Sequence, residues 1–306
     1  MTKVLVATEK PFAPAAVGRI KQIVEDAGFE FALLEKYSEK AELLEAVKNV
    51  DALIIRSDKA TEEVIEAASQ LKIIVRAGAG YDNIDLAAVT AHDVVAMNTP
   101  GQNSNAVAEL AMGMMIFQAR NQFNGKPGTE LRGKKIGIHA YGNVGRYVAT
   151  MAKGFGMEVF AFDPFVKDEV IAADGVKVVH SAEELYSQCQ YVSLHIPATE
   201  KTKNSINFDL LNSMPQGATL VNTARKEVID ENDLLKLFVE RSDFTYLSDI
   251  APDCKDEIAE KFSGRFFFTP KKSGAQTAEA NINAGVAAAQ QIVDFIKDGV
   301  SRYKVN

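Results

Sequence analysis

Residues 134–165 read KKIGIHAYGNVGRYVATMAKGFGMEVFAFDPF, and the rest of the chain is best understood outward from them. A short apolar strand runs into the turn Ala140-Tyr141-Gly142-Asn143-Val144-Gly145, an apolar-periodic helix follows, and a second strand closes on Asp163. Strand, glycine turn, helix and strand in that order form a dinucleotide-binding fingerprint of the Rossmann kind. The turn usually carries three glycines, and the first of them is here Ala140. Gly142 lets the backbone approach a pyrophosphate, and Gly145 lets the helix pack on its strand. The helix start, with Tyr141, Asn143 and Val144 around it, turns free N–H groups toward phosphates. Asp163, next to Pro164, can accept hydrogen bonds from both ribose hydroxyls of NAD and would repel the 2′-phosphate of NADP. Its bland alternative is a turn residue ahead of a proline.

Short β-branched runs alternate with longer amphipathic stretches on both sides of this unit. Strands are expected at 3–7, 52–56, 73–77, 94–97, 135–140, 159–163, 191–195, 219–222, 246–249 and 265–269. Helical spacing fills 15–27, 61–69 and 231–240. Such repetition builds doubly wound α/β parallel sheets with helices on both faces. Two longer Ala/Gly-rich helices, at about 105–120 and 277–297, read as crossovers between two Rossmann-like domains. The expected division is an outer, substrate domain of residues 1–98 plus 282–306, split around an NAD-binding domain of 99–281.

A chain of 306 residues suits two domains. A net charge of −7 argues against nucleic acid as the partner, since phosphate backbones need a basic face. A small anionic substrate is still compatible with that balance, because local arginines can oppose the global sign. No apolar run approaches a bilayer span, and MTKVLVATEK lacks a secretory apolar core. Cys189 and Cys254 fit neither a metal-binding nor a disulfide pattern, so no metal and a reducing cytoplasm are expected.

Four further motifs lie in order around the dinucleotide turn: RAGAGYDNIDL (76–86), MNTPGQNSNAVAEL (97–110), VSLHIPAT (192–199) and LVNTARKEVIDENDLL (220–235). Together they make almost the whole chain resemble the D-isomer-specific 2-hydroxyacid dehydrogenases. The resemblance implies a carboxylate cradle from the backbone of Ala77, Gly78, Ala79 and Gly80. It implies NAD contacts at Asn103, His195, Pro197, Thr223, Ala224 and Asp249. It also makes Arg225, in the NTAR run, the arginine that clamps the substrate carboxylate and polarises its reacting oxygen. Within the family, ALIIRSDKATEEVIEAA (52–68) followed by RAGAGYDNID is most similar to phosphoglycerate dehydrogenases. That similarity makes Arg56, Ser57 and Arg76 candidates for holding a substrate phosphate, a task that suits planar guanidinium forks. Strand-end arginines paired with nearby acids are the structural alternative.

Oxidising a 2-hydroxy acid also needs a base for the hydroxyl proton. The family places a histidine immediately after Thr-Pro, assisted by a glutamate. Here the matching stretch is FFFTPKKSGAQTAEANINAG (266–285), and Lys271 follows Thr269-Pro270. The glutamate position, counted from Asp249, falls on Cys254 with Asp253 beside it. A neutral imidazole needs a carboxylate to fix its tautomer, whereas an ammonium has none to fix, so the two departures agree. A lysine-bearing subgroup of phosphoglycerate dehydrogenases is similar at this point. Lys271 is the first candidate base and Lys272 the second, with desolvation and Arg225 as the means of loosening the proton. Solvated loop lysines, with Arg225 acting alone, are the alternative.

The arm NQFNGKPGTELRG (121–133) is shorter than in most of the family, and the chain lacks tryptophan. The arm helps form the family's dimer, so a homodimer is expected with its details open. The chain reaches Asn306 soon after the second crossover, which leads to the expectation of no separate regulatory domain. Three readings follow. The first is an NAD-dependent 3-phosphoglycerate dehydrogenase at the first step of serine biosynthesis. The second is a dehydrogenase for an unphosphorylated acid such as glycerate, hydroxypyruvate or lactate. The third is a cofactor-sensing binding protein whose catalysis has lapsed.

Overall fold

The computed structural model describes all residues, Met1–Asn306. Two compact units make up the chain: Met1–Asn103 with Thr277–Asn306, and Ser104–Gln276. The cuts therefore fall after Asn103 and after Gln276, where the sequence pattern placed them after 98 and 281.

The N-terminal unit is built on five parallel strands, β1 (Lys3–Thr8), β2 (Glu30–Glu35), β3 (Ala52–Ile55), β4 (Ile73–Arg76) and β5 (Val95–Asn98), in the order β2-β1-β3-β4-β5. Apart from the edge strand β2, its strands are buried on both faces, as parallel sheets require. Leu5, Leu53, Ile55 and Ile74 enter one core, and Val4, Val6, Ile54 and Val75 enter the other. The second face is covered by the helices Pro14–Asp26 and Ala278–Asp298. Small residues on the latter allow close approach; a Cβ on Gly285 would stand 2.8 Å from Ile20 Cδ1. The last residues run antiparallel along β5, with Val305 N–H donating to Ala96 O at 2.9 Å.

The second unit holds seven parallel strands. They are β6 (Lys135–His139), β7 (Glu158–Phe162), β8 (Lys177–Val178), β9 (Tyr191–Leu194), β10 (Thr219–Asn222), β11 (Thr245–Ser248) and β12 (Phe266–Phe268), ordered β12-β11-β10-β9-β6-β7-β8. The order reverses between β6 and β9, and ligands bind at such a switch point, beyond the carboxyl ends of the strands. Register makes that edge explicit. His139 pairs with Phe162 and Leu194, Asn222 with Leu194 and Ser248, and Ser248 with Phe268. The next residue on each strand, Ala140, Asp163, His195, Thr223, Asp249 and Thr269, thus belongs to one row along the sheet edge. No helix of the chain is long and apolar enough to cross a membrane.

Candidate active site

The row begins at the dinucleotide turn. Ala140, in the first glycine position, has φ 78°, a left-handed value that strains any side-chain-bearing residue. Gly142 precedes the helix Asn143–Gly154 and carries no capping side chain, so the first-turn N–H groups are left for a ligand. Nothing lies within 4 Å of where a Gly142 Cβ would stand, whereas a Cβ on Gly145 would come within 2.4 Å of Ala140 O and 2.9 Å of Ile138 Cγ2. One glycine keeps the approach open, and the other keeps helix and strand in contact. Replacing Ala140 by glycine is expected to relieve the strain and raise stability by about 0.5–1 kcal/mol, the relief outweighing the freer unfolded chain. A denaturant midpoint that stays put or falls would show that the strain is absent.

Asp163 serves this turn directly. Its Oδ2 accepts the Tyr141 N–H at 2.7 Å and its Oδ1 accepts the Phe165 N–H at 2.8 Å. Both oxygens retain a further lone pair, and the carboxylate lines a cavity of about 1070 Å³ at the switch point. Ala140, Gly142, Pro164, His195 and Pro197 line it too. Sequence reasoning left out Phe165, 93% exposed at its rim, and His139 on its floor. His139 Nδ1 lies 3.2 Å from Tyr186 Oη, and His195 Nε2 lies 3.0 Å from Ser193 Oγ. Burial lowers His139 to about 4; burial and then the neighbouring His139 lower His195 to about 3. Both imidazoles are therefore neutral near pH 7 and line the cavity without a positive charge.

Farther along the edge, Asn222 shapes the arginine turn. Its Oδ1 accepts from Ala224 N–H and its Nδ2 donates to Arg225 O, each at 2.9 Å. The Arg225 guanidinium makes one bond, from Nη1 to Ala224 O at 3.0 Å, which leaves most of its five donors open. The Thr223 hydroxyl is buried without a partner, an orphan of the sort a bound ligand satisfies. Asp249 is 1% exposed. Its Oδ1 accepts from Ser273 N–H at 2.7 Å and Thr269 Oγ1 at 3.0 Å, and its Oδ2 from Gly274 N–H at 2.9 Å. This carboxylate thus pins both ends of the segment that carries Lys271 and Lys272, which are exposed. Asp253 is placed elsewhere, paired with Lys226 beside Glu231.

The remaining candidates stand in the N-terminal unit, on adjacent strands. Arg56 follows β3 and Arg76 ends β4; Arg76 Nε donates to Arg56 O at 3.0 Å. A Cβ on Gly78 would fall 1.4 Å from Arg76 Nη1, so only glycine lets that guanidinium lie across the loop. Ala77 N–H is spent on Ile55 O, which removes it from the expected cradle. Thr99 N–H and Asn98 Nδ2 hold the carbonyls of Gly78 and Ala79 at 2.9 and 2.6 Å, turning the amides of Ala79 and Gly80, in the same two peptide planes, the other way. Ser57 is exposed, and Asn103 ends this unit, outside the one that holds the dinucleotide turn. Two residues escaped sequence reasoning. Asp58 is buried and accepts from Arg56 N–H, and Asn281 accepts from Arg56 Nη2.

Residues 89–257 match the family model described as D-isomer specific 2-hydroxyacid dehydrogenase, NAD binding domain. The chain is 36% identical over 286 residues to D-3-phosphoglycerate dehydrogenase of Methanocaldococcus jannaschii, covering 87% of this chain and 54% of that protein. It is 34% identical to hydroxypyruvate reductase of Thermotoga maritima, covering 86% and 90%. The chain thus spans about half the length of the first relative and most of the second. A crystal structure of NAD+-bound 3-phosphoglycerate dehydrogenase from Entamoeba histolytica is 48% identical, with a TM-score of 0.88 and coverage of 100% of this chain and 98% of that one.

Proposed function

The chain belongs to the D-isomer-specific 2-hydroxyacid dehydrogenase family, and from that premise we propose that it is an NAD-dependent D-3-phosphoglycerate dehydrogenase. The observation that carries the substrate choice is the pair Arg56 and Arg76, on neighbouring strands and linked by the 3.0 Å bond from Arg76 Nε to Arg56 O. Two guanidinium groups in one fixed arrangement suit a dianionic phosphate. The carboxylate cradle is assigned to the amides of Gly78, Ala79 and Gly80, and the role of the clamping arginine to Arg225. NAD would be held by Gly142, Asn143, Val144, Gly145, Asp163 and Thr223, and when bound would supply the hydride acceptor. As the C2–H electron pair leaves, Lys271 takes the hydroxyl proton and Arg225 stabilises the charge gathering on the substrate oxygen. The reaction commits 3-phosphoglycerate to serine biosynthesis in the cytoplasm. A homodimer forms through the arm around Phe123, whose ring is 66% exposed and packs on Phe117.

The test is NADH consumption with 3-phosphohydroxypyruvate, alongside hydroxypyruvate, for wild type and Arg76→Ala. Wild type should prefer the phosphorylated acid. Arg76→Ala should lose about 10- to 100-fold in kcat/KM on it and only a few-fold on hydroxypyruvate, as expected for lost charge-assisted bonds. A wild-type preference for hydroxypyruvate would favour the second reading, and no turnover of either acid a cofactor-sensing protein.

A further inference from the structure

A half-buried arginine is ordinarily held by a carboxylate, which satisfies its donors and cancels its charge together. Arg56 is held otherwise. Its Nη1 donates to Lys10 O at 2.9 Å and to Pro11 O at 3.0 Å, and its Nη2 donates to Asn281 Oδ1 at 2.6 Å. Its Cζ lies 4.9 Å from the centre of the Phe12 ring. All three acceptors are neutral. The carboxylate close by in sequence, Asp58, directs its oxygens to Glu9 N–H at 2.7 Å, Tyr37 Oη at 2.9 Å and the Arg56 main-chain N–H at 3.1 Å. Burial lowers the Arg56 guanidinium from the usual arginine range, and the charge of Asp58 acts against that. Three of five N–H donors are thus used, while the positive charge has no ion-pair partner.

Asn281 is itself fixed. Its Nδ2 donates to Thr277 O at 2.8 Å, which leaves Oδ1 as the atom facing Arg56. Thr277 in turn caps the helix Ala278–Asp298 by accepting from Ala280 N–H at 3.1 Å. We infer that Asn281 is a positioning residue that orients Arg56 toward an anionic substrate group without neutralising it. The inference rests on the phosphate role given to Arg56 above. An amide is the group required: a carboxylate at 281 would accept the same bond from Arg56, but it could not donate to Thr277 O, and it would occupy the charge meant for the substrate.

Asn281→Asp separates this role from a merely structural one. A merely structural role predicts an ion pair with Arg56, favoured by an acid near a helix start, which offsets the lost bond to Thr277 O and leaves substrate affinity unmoved. The positioning role predicts the same intact fold with KM for 3-phosphohydroxypyruvate raised about 30- to 100-fold, kcat within about threefold, and KM for hydroxypyruvate within about threefold. Asn281→Ala, which loses orientation but not charge, should raise the first KM about 5- to 10-fold. Binding of inorganic phosphate, followed by calorimetry on wild type and Asn281→Asp, provides a readout independent of turnover. An unchanged KM and unchanged phosphate binding in Asn281→Asp overturns the inference and leaves the phosphoglycerate reading standing. Phosphate binding lost in that variant, with a wild type inactive on the phosphorylated acid, supports the inference and removes that reading. A wild type that neither binds phosphate nor turns over the phosphorylated acid removes both.

Discussion

Arg225→Gln is expected to lower kcat/KM by about 10³-fold, with most of the loss in kcat. Glutamine can still donate one hydrogen bond to a carboxylate, but it cannot pair with it bidentately or oppose charge growing on the reacting oxygen. Asn222 holds the turn by two bonds and the guanidinium adds one, to Ala224 O, so the turn should survive the change. Dinucleotide affinity, measured by fluorescence titration, should therefore stay within about threefold. A variant that retained kcat, or lost dinucleotide binding in proportion, would remove Arg225 from the chemistry.

The second large effect belongs to the lysine segment. Lys271→Ala is expected to reduce kcat about 10²- to 10⁴-fold, the range for losing a positioned acid–base group, while Lys272→Ala costs less than tenfold. The segment has little freedom to exchange the two, because Asp249 grips Thr269 on one side and Ser273 with Gly274 on the other. Lys271 O also accepts from Ser273 Oγ at 2.7 Å, which fixes its main chain. Steady-state assays in the reducing direction decide between them. Equal, small losses in both variants would leave Arg225 without a lysine partner, and a large loss confined to Lys272→Ala would shift the register by one.

Local pattern made much of the architecture readable, and long-range contacts account for what it did not. All ten expected strands are present, since buried parallel strands announce themselves as short β-branched runs. β2 and β8 went unseen. EFALLE carries a charge at each end and alternates poorly, because it lies at a sheet edge; β8 has two residues and no period at all. The helix 231–240 was read at its observed bounds because Asp230 caps it, accepting from Asn232 and Asp233 N–H. In the site, the glycine turn and Asp163 were legible as a unit, but the grip of Asp163 on Tyr141 N–H requires two strands to be side by side. The same holds for Asp249, whose carboxylate holds a loop 20 to 25 residues away. Asn281 reaches Arg56 across 225 residues of chain, and no local signal marks it. Asp253 illustrates the converse. Its place beside the expected glutamate position is readable in the sequence, whereas its pairing with Lys226 is not.

One consequence of the split N-terminal unit concerns the order in which the protein takes shape on the ribosome. Residues Ser104–Gln276 are contiguous and can close their own sheet as they emerge. The unit begun first has no such option. Val4, Val6, Ile54 and Val75 lie on a face whose cover includes Ala284, Ala288, Ala289 and Ile292, from a helix made after the whole second unit. Until then the sheet must persist with that apolar face covered only by the helix Pro14–Asp26, the kind of intermediate that attracts chaperones or aggregates. Strands made before the second unit are thus fully sheltered only after it.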